Sequence, residues 1–515
     1  MNESTIYLTT PIYYVNDTPH IGHAYTTVVT DILARYHKLF GYETFFLTGT
    51  DEHGQKVQTK AKEREVEPQV HVDEMAPRFI EEWKNLNISY DIFMRTTFPF
   101  HKNGVQKALQ ELFDRGEIYS ASYTGWYCVS DEIFYTEKDL LDGRCPNGHS
   151  VNKIEEKNYF FKMSKYQNDL IQYIEQHPDF IRPEFRKNEV MGFLKKPLED
   201  LCISRPKSRL SWGIELPFDT DYVTYVWFDA LLNYITAIGY GDPTKEENFK
   251  KWWSGAVHVI GKDILSTHAV YWTTMLMALR IPLPQHIQAH GWWLTKDNSK
   301  MSKSSGNAIK PLDVKNIIGV DALRYFLARD IYLGSDSQFS LELVINRVNT
   351  ELANNLGNLL SRSTNLVAKY FNGQVPDVTE FQPDTVVLEE MSSQTVRSLK
   401  QDILKFSPNT AIGHVVDLLS EANRYLEMQA PWKTAKTDLA AAAEALYASL
   451  EVLRISAILL SPVMPEKMED LLKRVGWNKK PEFEDALHWG LLKKGAPVEK
   501  GDILFPRIDL EKTLL

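Results

Sequence analysis

Pro19-His20-Ile21-Gly22-His23 follows the apolar run Ile6-Tyr7-Leu8-Thr9-Thr10 and opens a helical pattern. In that pattern Ala24, Val28, Ile32, Leu33, Tyr36 and Leu39 recur at helical spacing up to Gly41. A second strand-like run, Thr44-Phe45-Phe46-Leu47-Thr48, comes at once. Strand, helix and strand with short joints predict a parallel pair linked by a right-handed crossover. The loop after the second strand reads Asp51-Glu52-His53-Gly54. Ligands of open α/β sheets lie beyond the carboxyl ends of the strands, so both loops are expected at one crevice.

The pattern changes near Gly116. From there to about Val223 come short aromatic-rich runs, two of the cysteines early on, and several Pro and Gly breaks, as in a small β-rich insertion. The α/β pattern then resumes: Ala256–Ile260 reads as a strand, Ile264 to about Leu279 as a helix, and His286–His290 as another strand. The fold class expected is a Rossmann-like parallel sheet split by a β-rich connective insertion. Beyond Ser340 the apolar positions take helical spacing, with Leu446, Leu450, Leu453, Ala457 and Leu460 on one buried face, so an all-α bundle follows. The expected boundaries are 1–115 and 225–295 for the two halves of the α/β domain, 116–224 for the insertion, 296–345 for a connecting loop region and 346–515 for the bundle.

A chain of 515 residues is too long for one compact core, which agrees with several domains. With 43% hydrophobic and 24% charged residues, disorder and fibrous folds are excluded. The net charge of -10 offers no global basic footprint for nucleic acid, but the field at a site depends on local lysines rather than on the sum. Three cysteines suit a reducing compartment better than a disulfide framework. The N-terminus lacks the pattern of a signal or transit peptide, and no apolar run has membrane-spanning length. The cytoplasm is expected.

His20 and His23 are three residues apart, so both can point to one side of a first helical turn, whose N–H groups also favour an anion. Almost three hundred residues later stands Lys300-Met301-Ser302-Lys303-Ser304 on a polar stretch. Alone, an H-x-x-H is a helix cap and a K-x-x-K a solvated turn. Found together, each after a strand of one split α/β unit, they make a place to hold a polyphosphate from both sides. The pair resembles the HIGH and KMSKS motifs of class I aminoacyl-tRNA synthetases.

The resemblance narrows with Thr9-Thr10-Pro11-Ile12-Tyr13-Tyr14-Val15-Asn16, Gly49-Thr50-Asp51-Glu52-His53-Gly54, Tyr225-Val226-Trp227-Phe228-Asp229-Ala230 and Gly261-Lys262-Asp263-Ile264. Over about residues 5 to 475 the chain is similar to the methionyl-tRNA synthetase family. The resemblance implies activation of L-methionine with ATP, accompanied by Mg2+, and transfer to tRNA(Met). It implies His20, His23, Lys300 and Lys303 as the catalytic set, and His20, Gly22, His23, Gly261, Lys262, Asp263 and Lys303 on ATP. It implies a methionine pocket of Ile12, Tyr14, Asp51, Trp227, Ala230, Tyr234, Ile264 and His268, in which Asp51 receives the ammonium. A soft thioether gains from aromatic rims, which suits the pocket, although by residue type alone Trp227 and Tyr234 fit a packed core equally well. Pro11 and Leu231 depart from the alanine and proline of some relatives, both apolar exchanges. The insertion is too small for the hydrolytic domain of leucyl, isoleucyl and valyl enzymes, and no cysteine stands near Tyr14 for the cysteinyl enzyme's metal.

The family often holds zinc in this insertion by C-x-x-C knuckles. Here the runs are Cys128-Val129-Ser130-Asp131 and Cys145-Pro146-Asn147-Gly148-His149. Two thiolates, one imidazole and one carboxylate can still bind the metal, but the expectation is a remnant without structural zinc. In the helical tail Asn358, Arg362 and Trp432 stand at the family's anticodon-reading positions. Asn358 and Arg362 are four apart, on one helix face, and an indole can stack on a base; a surface pair and a buried Trp is the plainer alternative. Without the sequence of an additional β-barrel module after the bundle, a monomer is expected. Two rival classes, a non-catalytic RNA-binding paralogue and a small-molecule nucleotidyltransferase, conflict with the intact His and Lys set and with the helical tail respectively.

Overall fold

A computed structural model describes residues 5–15, 18–131, 133–295, 298–299, 301 and 309–513. These fall into two compact units. The first comprises residues 1–19, 44–84 and 89–290, the second residues 20–43, 85–88 and 291–515.

The first unit is built on a six-stranded sheet. Its strands run in the order Ile92–Arg95, Glu43–Asp51, Thr5–Tyr14, Ala256–Gly261, His286–His290, Ile181–Arg182. Thr5–Tyr14 pairs parallel with Ala256–Gly261 (Tyr7 opposite Ala256, Thr9 opposite His258). That strand pairs parallel with His286–His290 in turn. Every residue of Ala256–Gly261 is buried, because helices cover both faces of the sheet and no solvent face remains to select polar residues. Thr5–Tyr14 extends four residues past the expected run, taking Pro11 to Tyr14 into the sheet's carboxyl end.

The insertion is only partly β. Its strands Ile133–Tyr135, Ile118–Cys128, Asn152–Phe161 and Leu201–Cys202 form an antiparallel sheet in that order. Gln167–Gln176 and Glu184–Phe193 are helices, and Ile181–Arg182 between them adds an edge strand to the main sheet beside His286–His290. Their apolar residues, including Leu170, Ile174, Ile181 and Val190, join the same core as Val259's neighbours Ala256 and Ile260. The insertion is thus mixed α/β where the sequence reads as β-rich: two ten-residue helices are too short for their period to stand out among aromatic runs.

In the second unit the long helices Pro383–Leu404, Pro408–Gln429 and Leu439–Leu460 form the bundle. Leu439–Leu460 is buried on all sides from Ala442 to Leu460, not on one face as its leucine spacing suggests, since it is the central helix. Its charged members are matched: Arg454 Nη2 meets Glu451 Oε2 at 2.6 Å with both side chains fully buried. The helix Ile21–Leu39 belongs to this unit rather than to the sheet's. It is fastened by Arg324, whose guanidinium donates to Asp31 Oδ2 (2.6 Å) and to the carbonyls of Leu86, Asn87, Pro462 and Val463. No helix of the described residues is long and apolar enough to cross a membrane.

Candidate functional site

The helix Ile21–Leu39 begins with His20 as its N-cap in extended conformation. The backbone N–H of Gly22 donates to Nδ1 of His20 (3.1 Å), and the backbone N–H of His20 donates to Nδ1 of His23 (3.3 Å). This is a capping box in which imidazoles replace the usual hydroxyl and carboxylate. Both Nδ1 atoms accept, so each neutral ring carries its proton on Nε2. The rings stack with centroids 3.7 Å apart and present their Nε2–H groups as donors suited to phosphate oxygens. A Cβ on Gly22 would stand 3.0 Å from Cε1 of His20, so the glycine makes room for that folded ring besides any ligand.

Lys300 and Lys303 lie outside the described residues. Further along the chain, the carbonyl of Ile309 accepts from the N–H of Ile21 at 3.0 Å. Ile309 is thereby held to the residue that follows His20, within one unit.

In the first unit the carboxyl ends of adjacent strands carry the other expected residues. Tyr14, half-buried, meets Trp227 edge to face at 6.4 Å, and Lys56 Nζ lies 4.9 Å from the Tyr14 ring centre. Ile12, Trp227 and Ile264 pack as partly buried residues on the main core, while Ala230 and Tyr234 are buried. His268 donates from Nδ1 to the carbonyl of Ile264 (2.9 Å), which leaves Nε2 to accept the Tyr234 hydroxyl (2.8 Å). Burial pushes His268 down to about 4 and the Tyr234 phenol well above its usual range, so the pair is neutral at pH 7. A neutral wall suits a neutral side chain. His268 sits in a π-helical stretch, Thr267–Trp272, a rare geometry that accumulates at functional sites.

Asp51 is buried at the end of its strand. The next residue, Glu52, is committed to structure: Thr50 and Arg95 donate to its Oε1 (2.8 and 2.6 Å) and Thr97 to its Oε2 (2.5 Å). Beyond the strand Ala256–Gly261, a Cβ on Gly261 would come within 2.5 Å of Asp263 Oδ1, so only glycine lets Asp263 fold back there. Lys262 is half-buried and Asp263 exposed.

Cys128, Asp131, Cys145 and His149 come together, with one ligand atom of each within 4.8 Å of every other. The backbone N–H of Asp131 donates to Cys128 Sγ (3.4 Å) and that of His149 to Cys145 Sγ (3.2 Å). His149 Nδ1 meets Asp131 Oδ1 at 3.0 Å. The four side chains stay together despite the aspartate and the longer spacing. Two sulfurs, an imidazole and a carboxylate, two of them buried, fit a tetrahedral zinc.

In the helical unit Arg362 lies over the Trp432 ring (5.0 Å) and pairs with Glu427 (2.7 Å). Asn358, exposed, stands one turn away at the end of the π-helical stretch Val348–Gly357. It lines a cavity of about 640 Å³ with Asn354, Ser361, Asn365 and Lys500. These amide and hydroxyl neighbours carry no motif, and only their i, i+4 spacing around Asn358 and Ser361 marks them in the sequence.

The family described as tRNA synthetases class I (M) matches residues 6–155 and 148–364, and that described as the anticodon binding domain of methionyl tRNA ligase matches 375–513. The chain is 45% identical to a methionine-tRNA ligase of Caldanaerobacter subterraneus over 99% of its own length and 80% of that protein. It is 44% identical to one of Rickettsia felis, covering 98% of this chain and 99% of that one. Among solved structures it superimposes on Mycobacterium tuberculosis methionyl-tRNA synthetase in complex with methionyl-adenylate, with a TM-score of 0.93 at 38% identity over 98% of this chain.

Proposed function

The chain belongs to the methionyl-tRNA synthetases of class I, and on that premise we propose which residues carry each part of the reaction. The activity is that of a methionine-tRNA ligase. L-methionine and ATP give methionyl-adenylate and pyrophosphate, and the methionyl group then passes to the 3′ end of tRNA(Met) for translation initiation and elongation. We take 1–115 and 225–295 as the catalytic halves, 116–224 as the connective insertion, 296–345 as the KMSKS loop and stem-contact region, and 346–515 as the anticodon-binding domain.

The stacked pair His20–His23 carries the assignment of the ATP site, because backbone N–H groups occupy both Nδ1 atoms and so put the proton of each neutral ring on Nε2, where it is a donor. The methionine carboxylate is already ionised at neutral pH, so no general base is needed. Its oxygen bonds to the α-phosphorus as the bond to the pyrophosphate oxygen breaks. The protein's work is to neutralise the charge that builds on the phosphates and to align the attack. His20, His23, Lys300 and Lys303 supply donors for that charge, with the helix N-terminus behind them. Gly261, Lys262 and Asp263 receive the adenosine half, and Mg2+ enters with ATP. Asp51 takes the ammonium of methionine. Ile12, Tyr14, Trp227, Ala230 and Ile264 enclose the thioether chain against the neutral Tyr234–His268 pair.

Asn358, Arg362 and Trp432 read the anticodon. Trp432→Ala is expected to weaken tRNA binding by about 1–3 kcal/mol, the worth of one base stacked on an aromatic ring. Methionine-dependent ATP–pyrophosphate exchange, which needs no tRNA, keeps its rate. Arg362→Ala further relaxes discrimination against an altered anticodon, since a forked guanidinium reads a base edge more selectively than a ring does. Exchange and charging measured side by side decide it. Loss of exchange in either variant means that these residues hold the fold and do not read RNA.

In place of the remnant expected from the sequence, Cys128, Asp131, Cys145 and His149 are assigned as a four-ligand zinc set. Zinc there braces the insertion and takes no part in the chemistry. Elemental analysis after mild dialysis is expected to find one zinc per chain, and chelation to lower thermal stability. Metal-free protein of undiminished stability restores the remnant. We propose a monomer working in the reducing cytoplasm, the latter from three unbridged cysteines.

A further inference from the structure

His53 and Asp229 stand inside the motifs that supply Asp51 and Trp227, yet neither has a part in holding methionine or ATP. They meet each other. His53 Nδ1 lies 2.6 Å from Asp229 Oδ2, and the other carboxylate oxygen, Oδ1, takes His101 Nε2 at 2.7 Å. His101, on the helix Pro99–Asp114, belongs to no motif. Its Nδ1 meets Thr236 Oγ1 at 2.7 Å. The side chains of His53, Asp229 and His101 are 2%, 1% and 0% exposed.

A carboxylate in such a place is costly unless both oxygens are engaged. Among the described residues its ion-pair partners are these two imidazoles alone, without Lys or Arg. Burial raises an acid's pKa, but here the two imidazoles outweigh it and carry Asp229 down to about 2, so it is ionised at any working pH. The charge therefore fixes three separate segments to one point: the loop after Glu43–Asp51, the helix Pro99–Asp114 and the helix Val226–Leu231.

The last of these is only six residues long, too short to be stable by itself. Trp227 precedes Asp229 by two positions and Ala230 follows it directly, while Asp51 precedes His53 by two. The bond His53–Asp229 thus spans from the residue proposed for the ammonium of methionine to those proposed for its side chain. Trp212 seals the joint: its ring packs on His53 at 5.3 Å and its Nε1–H donates to the carbonyl of Glu52 at 2.6 Å.

We propose that Asp229, clamped between His53 and His101, is a positioning residue that sets the distance from Asp51 to the Trp227–Ala230 wall and so governs methionine affinity. The inference rests on the reading of Asp51, Trp227 and Ala230 as methionine-pocket residues. ATP is bound by other groups, so its KM is not under this control.

Steady-state ATP–pyrophosphate exchange, with methionine and ATP varied separately, tests it on full-length Asp229→Asn, His101→Phe, His101→Gln and Asp51→Asn. Asp229→Asn and His101→Phe are expected to raise the methionine KM on the order of tenfold to a hundredfold, the cost of misplacing a bound substrate by a fraction of an ångström to an ångström. The KM for ATP stays where it was. His101→Gln, whose amide N–H can still reach Oδ1, restores most of the methionine affinity that His101→Phe loses. Thermal unfolding of each variant is followed alongside. If the two KM values move together, or the unfolding temperature falls with neither moving, the clamp is structural only and the proposal is overturned. Should Asp229→Asn fail to fold, equal methionine KM values for His101→Phe and His101→Gln overturn it as well. Asp51→Asn separates the two levels: a raised methionine KM there with none in the clamp variants sinks the clamp alone, whereas no change at Asp51 removes the pocket reading and the clamp's role with it.

Discussion

Lys303→Ala is expected to slow methionyl-adenylate formation by roughly two to three decades, the loss typical of one donor of transition-state charge. The ammonium meets phosphate charge that grows only as the bond to pyrophosphate breaks, so ground-state binding contributes little to the loss. Methionine affinity is expected to hold, because the pocket from Ile12 to His268 contains no part of the lysine loop. Single-turnover activation rates and methionine binding, measured separately, check both halves. Lys303 is outside the described residues, but Ile309, further along the chain, accepts a hydrogen bond from the N–H of Ile21, the residue after His20. An unchanged activation rate would detach this loop from the phosphates.

Removing the guanidinium of Arg324 should destabilise rather than slow the protein. Arg324→Ala takes from Asp31, itself fully buried, its 2.6 Å guanidinium partner, and takes the Arg324 donor from the carbonyls of Leu86, Asn87, Pro462 and Val463, of which Asn87 keeps Arg35. Breaking a buried pair from one side costs about 3–5 kcal/mol. Arg35 stays on Asp31 at 2.8 Å, which keeps the loss near the lower end of that range. Denaturant unfolding should show it directly. Asp31→Asn combined with Arg324→Met, which removes both charges and keeps the volume, is expected to recover much of the stability. If the double variant is as unstable as Arg324→Ala, the carbonyl bonds and not the charge pair hold the helix Ile21–Leu39.

The alternation of strand, helix and strand around His20, and the run Ala256–Ile260, are legible because periodicity is a local property and all three strands are mostly apolar. The same holds for the central helix Leu439–Leu460, whose existence is plain from its leucines. Its burial on every side is not, since the neighbours that surround it come from helices spread over residues 358–434 and 465–487. The insertion's helices escape notice because ten residues among aromatic runs carry little period.

At the sites the division follows the same line. The pairing of His20 and His23 with Lys300 and Lys303 in one split α/β unit is what spacing offers, because a polyphosphate calls for donors on both sides. Asp51, Trp227, Asn358 and Arg362 are expected from the family resemblance, since by residue type alone they fit a packed core or a helix surface as well. Three matters belong to the tertiary structure. Which imidazole nitrogen carries the proton depends on backbone N–H groups at the helix start. Whether Cys128, Asp131, Cys145 and His149 form one donor set depends on two turns folding toward each other, which spacing does not reveal. The clamp on Asp229 joins it to partners 176 and 128 residues away. A chain's local pattern determines which segments will be strand or helix and which groups they can offer. Burial, protonation and pairing arise only when distant segments exclude water together, so they are decided by the folded whole.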